Sequence, residues 1–375
     1  MHISSNFDSG NIQVLGIDGD TARLAIRPDA GDEHMQWFHF RLSGVASRAV
    51  TLRIENAGKA SYPSAWPGYQ ARASSDRQEW LQVPTSYADG VLTIQLQPEA
   101  NVVWVAYFAP YSQERHHNLL ANAQACGARM ETLGQTLDGR DLDMLVLGSG
   151  PRKLWVIARQ HPGESMAEWW MEGFLGRLLD GQEEEDGDPQ VTELLTNATL
   201  YVVPNMNPDG SARGHLRVNA SGANLNREWE NPTMERSPEV KLVRDAMDRL
   251  GCDFCLDVHG DEELPYNFIA AAEGIAGWTP RLETLTQDFC NVYEQADPAF
   301  QQEHGYPKDA PGKANMTMCT SQVAQRFDCL AMTLEMPFKD DNNHPDAELG
   351  WSPERAMELG ANVVSPMVSV LDALR

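Results

Sequence analysis

Leu154-Trp155-Val156-Ile157-Ala158 runs into Arg159-Gln160-His161-Pro162-Gly163-Glu164, an apolar segment that ends on a turn carrying an imidazole and a carboxylate. A second apolar run, residues 254–258, delivers His259-Gly260 in the same manner. Short runs of large and β-branched residues bounded by turn signals read as strands buried on both faces. A His-x-x-Glu pair needs only a turn to put both side chains on one ion, whereas the second histidine has to be brought in by the fold. Two imidazoles and one carboxylate leave a fourth tetrahedral position for water, whose pKa zinc lowers to near neutrality. His161, Glu164 and His259 are therefore candidate ligands of a catalytic zinc ion, one per chain.

Working outward, strands are expected at 144–147, 154–158, 200–203, 254–258 and 331–334. Helices are expected at 165–179, where Met166, Trp170, Phe174 and Leu178 share a face, and at 238–250, with Ser237 as cap and Pro238 in the first turn. Two more are expected at 282–296 and at 353–374, the last kinked or interrupted at Pro366. Alternating strands and helices imply an α/β fold with a mixed or mostly parallel sheet covered on both faces. Ligands gather at the carboxyl ends of strands in such sheets. His161, Asn205, His259 and Glu335 all follow expected strands, which places them along one edge.

Before Pro110 the pattern changes. Segments 22–26, 37–42, 50–54, 91–96 and 102–107 are short, alternate in polarity and are separated by Gly, Pro, Asp and Asn. They predict an antiparallel β-sandwich over residues 1–110, joined by a helix at 111–125 to an α/β domain over 111–375. Trp37, Trp66, Trp80 and Trp104 are expected in its core. The acidic run 183–188 lies between two helical readings and is expected as a solvated loop.

Composition narrows the class. With 375 residues, two domains are the starting expectation, and 42% hydrophobic residues suffice for a folded core. A net charge of -25 disfavours nucleic acid and anionic membrane surfaces, which need clustered Lys and Arg. The amino terminus has neither a basic start nor an apolar core, and no run reaches spanning length, so a cytoplasmic protein is expected. The six scattered cysteines read as free thiols, Cys252 and Cys255 among them. Nothing in the sequence fixes the oligomeric state.

Between and beyond the candidate ligands stand Asn205-Met206-Asn207-Pro208-Asp209-Gly210, Arg217, Asn226-Arg227 and Thr333-Leu334-Glu335-Met336-Pro337. As an ordered set, His-Pro-Gly-Glu, Asn-Pro-Asp-Gly, Arg, Asn-Arg, His-Gly and a late Glu after a strand, the chain resembles the zinc metallocarboxypeptidases. The short gap from Arg217 to Asn226-Arg227 resembles the cytosolic carboxypeptidase branch, which carries a β domain ahead of the enzyme. The resemblance implies a carboxypeptidase-like mixed sheet and hydrolysis of the amide bond at peptide or protein carboxyl termini. It implies Glu335 as base and then acid, and Arg217 polarising the scissile carbonyl. Asn226 and Arg227 would clamp the free α-carboxylate, which guanidinium binds with two parallel hydrogen bonds.

Asn224 stands where digestive members carry an Asp that supports a ligand histidine; an amide accepts the same imidazole N–H without the charge. The tyrosine that closes over substrate is not fixed by motif, and Tyr266 and Tyr306 are both open. Residues 305–331 match the region that lines the pocket for the terminal side chain. They hold Lys308, Lys313 and Arg326, from which a preference for carboxyl-terminal Glu or Asp is expected, with Lys313 as counter-ion. Two other readings stay open at this point, a related zinc amidohydrolase acting on N-acyl amino acids and a non-catalytic binding protein.

Overall fold

Seven strands form one mixed sheet in the order Arg129–Gln135, Asp141–Gly148, Ala198–Val203, Arg152–Ala158, Phe254–Val258, Leu330–Glu335, Phe268–Ala271. The computed structural model describes residues 1–182 and 187–375, so residues 183–186 of the expected acidic loop lie outside the described residues. The four strands from Ala198–Val203 to Leu330–Glu335 run parallel, and antiparallel strands close both edges. Leu154, Val156 and Ala158 enter one core while Trp155 and Ile157 enter another. That alternation is the period-two geometry of a strand buried on both faces. Helices Met166–Asp180, Pro280–Ala296 and Pro353–Asn362 cover the first face, and Pro238–Leu250 and Cys319–Phe327 the second.

The helix expected over 353–374 is interrupted and forms two, Pro353–Asn362 and Val364–Val370. The break falls ahead of Pro366, because the proline ring would clash with the carbonyl four residues back; in a new first turn its missing N–H costs nothing. Glu335 is the last residue of its strand, not the first beyond it.

The amino-terminal region is a pair of five-stranded sheets. Val50–Ile54 alternates buried and half-buried residues, as a sandwich strand should. One expectation is corrected: Thr21–Ala25 and Val50–Ile54 pair in parallel, so the sandwich is not wholly antiparallel. Trp37, Trp66 and Trp80 are buried, whereas Trp104 is half-buried beneath the guanidiniums of Arg41 and Arg77. The apolar core is continuous between the two regions, and Tyr107 stacks on Phe338 with ring centroids 4.6 Å apart. The six cysteines are free thiols and all but Cys126 are buried.

Candidate active site

Register aligns the carboxyl ends of the central strands. Ala158 stands opposite Val258 and Val258 opposite Leu334, so the chain leaves the sheet at neighbouring points toward His161, His259 and Glu335. The His-Pro-Gly-Glu turn is seated on the Asn-Pro-Asp-Gly turn. A Cβ on Gly210 would lie 2.3 Å from Pro162 Cγ, and the Asn207 side-chain amide donates to the Gln160 carbonyl at 3.0 Å. Arg159 and Glu168 form a buried ion pair at 2.6 Å beneath the turn, and Asn205 donates to the same carboxylate at 3.0 Å.

His161 Nδ1 lies 2.6 Å from Glu164 Oε1, and His259 Nδ1 lies 2.7 Å from Glu164 Oε2. All three residues are buried, and one donor atom from each falls within 4.8 Å of the others. The far ring nitrogens are engaged as well. His161 Nε2 is 3.0 Å from Asn224 Oδ1, and His259 Nε2 is 3.0 Å from Asp257 Oδ2. An imidazole that donates its Nε2–H to an oxygen presents the Nδ1 lone pair, so both Nδ1 atoms and the carboxylate converge as acceptors on one point. Acceptors turned on one another are repulsive unless a cation or proton stands between them. Two imidazole nitrogens, a carboxylate and oxygen partners behind the imidazoles are what zinc takes.

Electrostatics follows from this packing. Burial would raise the Glu164 carboxyl, but the two imidazoles outweigh it and hold it well below the usual range. Burial, with Arg217 adding to it, lowers His161 to about 4. Burial also pushes His259 down, yet Asp257 and Glu164 hold it well above its ordinary value.

Around the cluster a cavity of about 310 Å³ is lined by His161, Glu164, Arg217, Asn226, Arg227 and Glu335, among others. Glu335 is 7% exposed and its Oε2 has no partner among the described residues; burial is the largest cause raising its pKa. Asn226 Oδ1 accepts from the Cys319 N–H at 2.9 Å, which fixes the orientation of the amide. Lys313, like Lys308 and Arg326, is not among the residues that line this cavity. It is exposed, its own N–H closing a turn onto the Ala310 carbonyl, while Lys308 pairs with Glu273 at 3.2 Å and Arg326 with Asp248 at 2.7 Å. Lys308 also lines a neighbouring cavity, and Arg326 stands on the helix Cys319–Phe327.

Several residues at the site were not read from sequence. Tyr62 of the amino-terminal region lines the cavity, with the Arg217 guanidinium 5.8 Å from its ring centre. Asp29, also amino-terminal and 2% exposed, accepts from the N–H groups of Leu216, Arg217 and Val218 at 2.6, 2.7 and 3.1 Å. Asp257 was within reach, since a charged residue inside Phe254–Val258 breaks an otherwise apolar strand. Tyr306 lines the cavity and its hydroxyl donates to Asp261 at 2.5 Å, whereas the Tyr266 ring stacks on His304.

The loop from Arg217 to Arg227 is tied to the helix Pro238–Leu250 through Asn219, whose side-chain amide donates to Glu239 Oε2 at 3.1 Å. Burial raises the Glu239 carboxyl to about 7 from an ordinary 4.5. Between those values the folded chain binds more protons than the unfolded one, so this stability contribution is complete below 4.5 and is lost as pH rises to about 7. Glu239→Gln is expected to flatten the fall of Tm with pH over that window. An unchanged slope in the variant would assign the dependence to other groups.

A parallel-centred α/β sheet with a His, Glu and His cluster at its carboxyl edge, a buried unpaired glutamate and two cavity arginines defines a metallohydrolase site. A zinc carboxypeptidase model matches residues 115–273, and a cytosolic carboxypeptidase N-terminal domain model matches residues 3–108. The structure is similar to a metallo-carboxypeptidase from Pseudomonas aeruginosa solved in complex with (2-guanidinoethylmercapto)succinic acid, at 47% identity and TM-score 0.96 over all of both chains. It is also similar to a metallo-carboxypeptidase from Burkholderia cenocepacia, at 44% identity and TM-score 0.96 over 99% of each. Cytosolic carboxypeptidase 1 of Gallus gallus is 26% identical over 69% of this chain and 25% of its own length. The chain belongs to the zinc carboxypeptidase family, in the branch with the cytosolic carboxypeptidase amino-terminal domain, and is a peptide hydrolase. Among the described residues no helix is long and apolar enough to cross a membrane.

Proposed function

We propose that this chain is a zinc-dependent exopeptidase that removes single residues from the free carboxyl ends of peptides or proteins in the cytoplasm. The observation that carries the reading is one cavity lined both by His161 and Glu164, which converge with His259, and by the Asn226 and Arg227 pair. In this reading one zinc ion sits on His161, Glu164 and His259, and the catalytic unit spans 111–375 behind a β-sandwich of 1–110. Zinc, when bound, supplies the Lewis acidity that makes water nucleophilic near neutral pH and polarises a carbonyl.

The chain's own groups do the rest. Asn226 and Arg227 hold the terminal carboxylate, which selects the last residue and fixes the scissile bond relative to Glu335. Arg217 donates to the carbonyl oxygen as it becomes anionic. Glu335 takes the proton of the attacking water and passes it to the leaving amine. A preference for acidic terminal side chains stays part of this proposal, with Lys313, although exposed, on the segment expected to supply the counter-ion. Beyond Tyr306 and Met318 a second cavity, of about 460 Å³, has a buried hydroxyl pair, Thr320 and Thr333, 2.6 Å apart. Lys308 and Glu273, 3.2 Å apart, line the same cavity, so it also holds a cation.

The test is mass spectrometry of peptides that share a sequence and differ in their ends, incubated with zinc-loaded and chelator-treated protein. Stepwise loss of one terminal residue from the free acid, with none from the carboxyl-amidated peptide, is expected of the loaded protein only. Cleavage of amidated peptides, or internal cuts, would remove the clamp from the proposal.

A further inference from the structure

Arg159 is the first residue beyond the strand Arg152–Ala158 and stands two places before the proposed ligand His161. Its φ is +58°, in the left-handed region that glycine enters freely and a residue with a Cβ enters at a cost. It is also 1% exposed, so a guanidinium is taken out of water at this point. A glycine would make the same turn without either cost. Backbone strain of this kind persists only where the surroundings hold it, and it gathers at functional sites.

The contacts of Arg159 lead to the ligands from several sides. Its own N–H donates to the Val258 carbonyl at 3.2 Å, and Val258 immediately precedes His259. Its Nε donates to the Pro162 carbonyl at 3.0 Å, inside the turn that joins His161 to Glu164. Its Nη1 donates to the Tyr111 carbonyl at 3.0 Å and to Glu168 Oε2 at 2.6 Å, and Glu168 follows Glu164 on the helix Met166–Asp180. The other Glu168 oxygen lies 2.6 Å from His116 Nδ1, and Asn205 Nδ2 donates to Oε2 at 3.0 Å. One residue therefore ties together the segments that carry all three proposed ligands. The tie matters because His161 Nδ1 and His259 Nδ1 are turned on the Glu164 carboxylate at 2.6 and 2.7 Å. Acceptors so close repel in the metal-free chain, and a turn free to move would let them spread.

We propose that Arg159 is a positioning residue that keeps His161, Glu164 and His259 converged ahead of the metal, so that zinc enters a preformed site. A guanidinium offers donors only, so it acts through the Pro162 and Val258 carbonyls and not as a ligand. The inference rests on the zinc site of the exopeptidase reading, and its readout is metal affinity. Metal-free full-length wild type, Arg159→Gly, Arg159→Lys and Glu168→Gln are titrated with zinc against a competing chelator, at a temperature where thermal unfolding shows each metal-free sample to be folded. Arg159→Gly keeps the left-handed backbone and removes the tie. It is expected to bind zinc about ten- to a hundredfold more weakly than wild type, the scale on which partners behind metal ligands act. Arg159→Lys puts a single point donor in place of a fork and should fall between the two. Glu168→Gln, which keeps the shape of the carboxyl, should weaken zinc binding less than Arg159→Gly.

Wild-type zinc affinity in Arg159→Gly would overturn the proposal, since the turn would then need only its backbone conformation. If Arg159→Gly does not fold, Arg159→Lys decides: weaker zinc binding by the folded Lys protein supports the proposal, and wild-type binding overturns it. Peptide cleavage by the same proteins at saturating zinc separates this inference from the activity. Wild type that binds zinc but cleaves nothing, beside an Arg159→Gly protein that binds zinc weakly, sinks the exopeptidase reading and leaves Arg159 in this role. Wild type that cleaves, with all four proteins binding zinc alike, does the reverse.

Discussion

Glu335→Gln is expected to lower kcat by about two to four orders of magnitude while the protein keeps one zinc ion per chain and its KM. The argument begins with position. Glu335 closes the strand Leu330–Glu335, one register step beyond Leu334, which pairs with Val258 next to the proposed ligand His259. The carboxyl is therefore fixed by sheet geometry, not by a loop. Its Oε2 is buried and has no partner among the described residues, so the fold does not spend it on an ion pair. Burial, with Glu164, Asp261 and Glu262 nearby, raises its pKa despite the opposing His259, which makes it a better proton acceptor than an exposed glutamate. Glutamine has nearly the same shape and cannot accept or return the proton, so the loss falls on turnover. Steady-state kinetics beside metal analysis decides it: zinc lost together with activity would make Glu335 a structural partner of the metal cluster.

The residues legible in the sequence share one property, that their signal is local. His161 and Glu164 sit in one turn, Asn226 and Arg227 are adjacent, and each catalytic strand announces itself by an apolar run of five or six residues before the functional group. The parallel order that brings those runs together follows from strand and helix alternation. What stayed hidden is non-local. Asp29 lies 187 residues from the first N–H that donates to it, that of Leu216, in a Pro-Asp-Ala-Gly stretch that reads as an ordinary turn. Glu262 is hidden by its neighbours, because Asp-Glu-Glu reads as a solvated run and only the fold buries its middle member. Lys313 is a different case: it lies in the expected interval and is exposed, and no local signal tells which way a loop lysine turns.

Asp29→Ala is expected to cost about 3 kcal/mol of stability and to lower kcat/KM by at least about tenfold, although Asp29 lines no part of the cavity. One carboxylate satisfies three successive N–H groups around Arg217, and buried donors left without partners each cost about 1–3 kcal/mol before water or relaxation recovers part of it. The neighbouring contacts bind the same loop to the same region. The Ala30 N–H donates to His215 Nε2 at 3.1 Å, so His215 Nδ1 carries the proton it shares with the Val218 carbonyl at 2.9 Å. The Asn11 side-chain amide donates to the Gly214 carbonyl at 3.0 Å. Among the described residues the Arg217 guanidinium makes no hydrogen bond and rests on the Tyr62 face, so its aim depends on where this backbone is pinned. Loosening the pin should then weaken charge stabilisation at the carbonyl more than terminal-carboxylate binding, and the loss should appear in kcat. Asp29→Asn, which keeps one acceptor oxygen, should recover part of both effects. Denaturant unfolding and kinetics on the two variants test this. A destabilised Asp29→Ala protein with unchanged kcat would leave the amino-terminal region a packing partner, whereas a parallel fall makes it a working part of the active site.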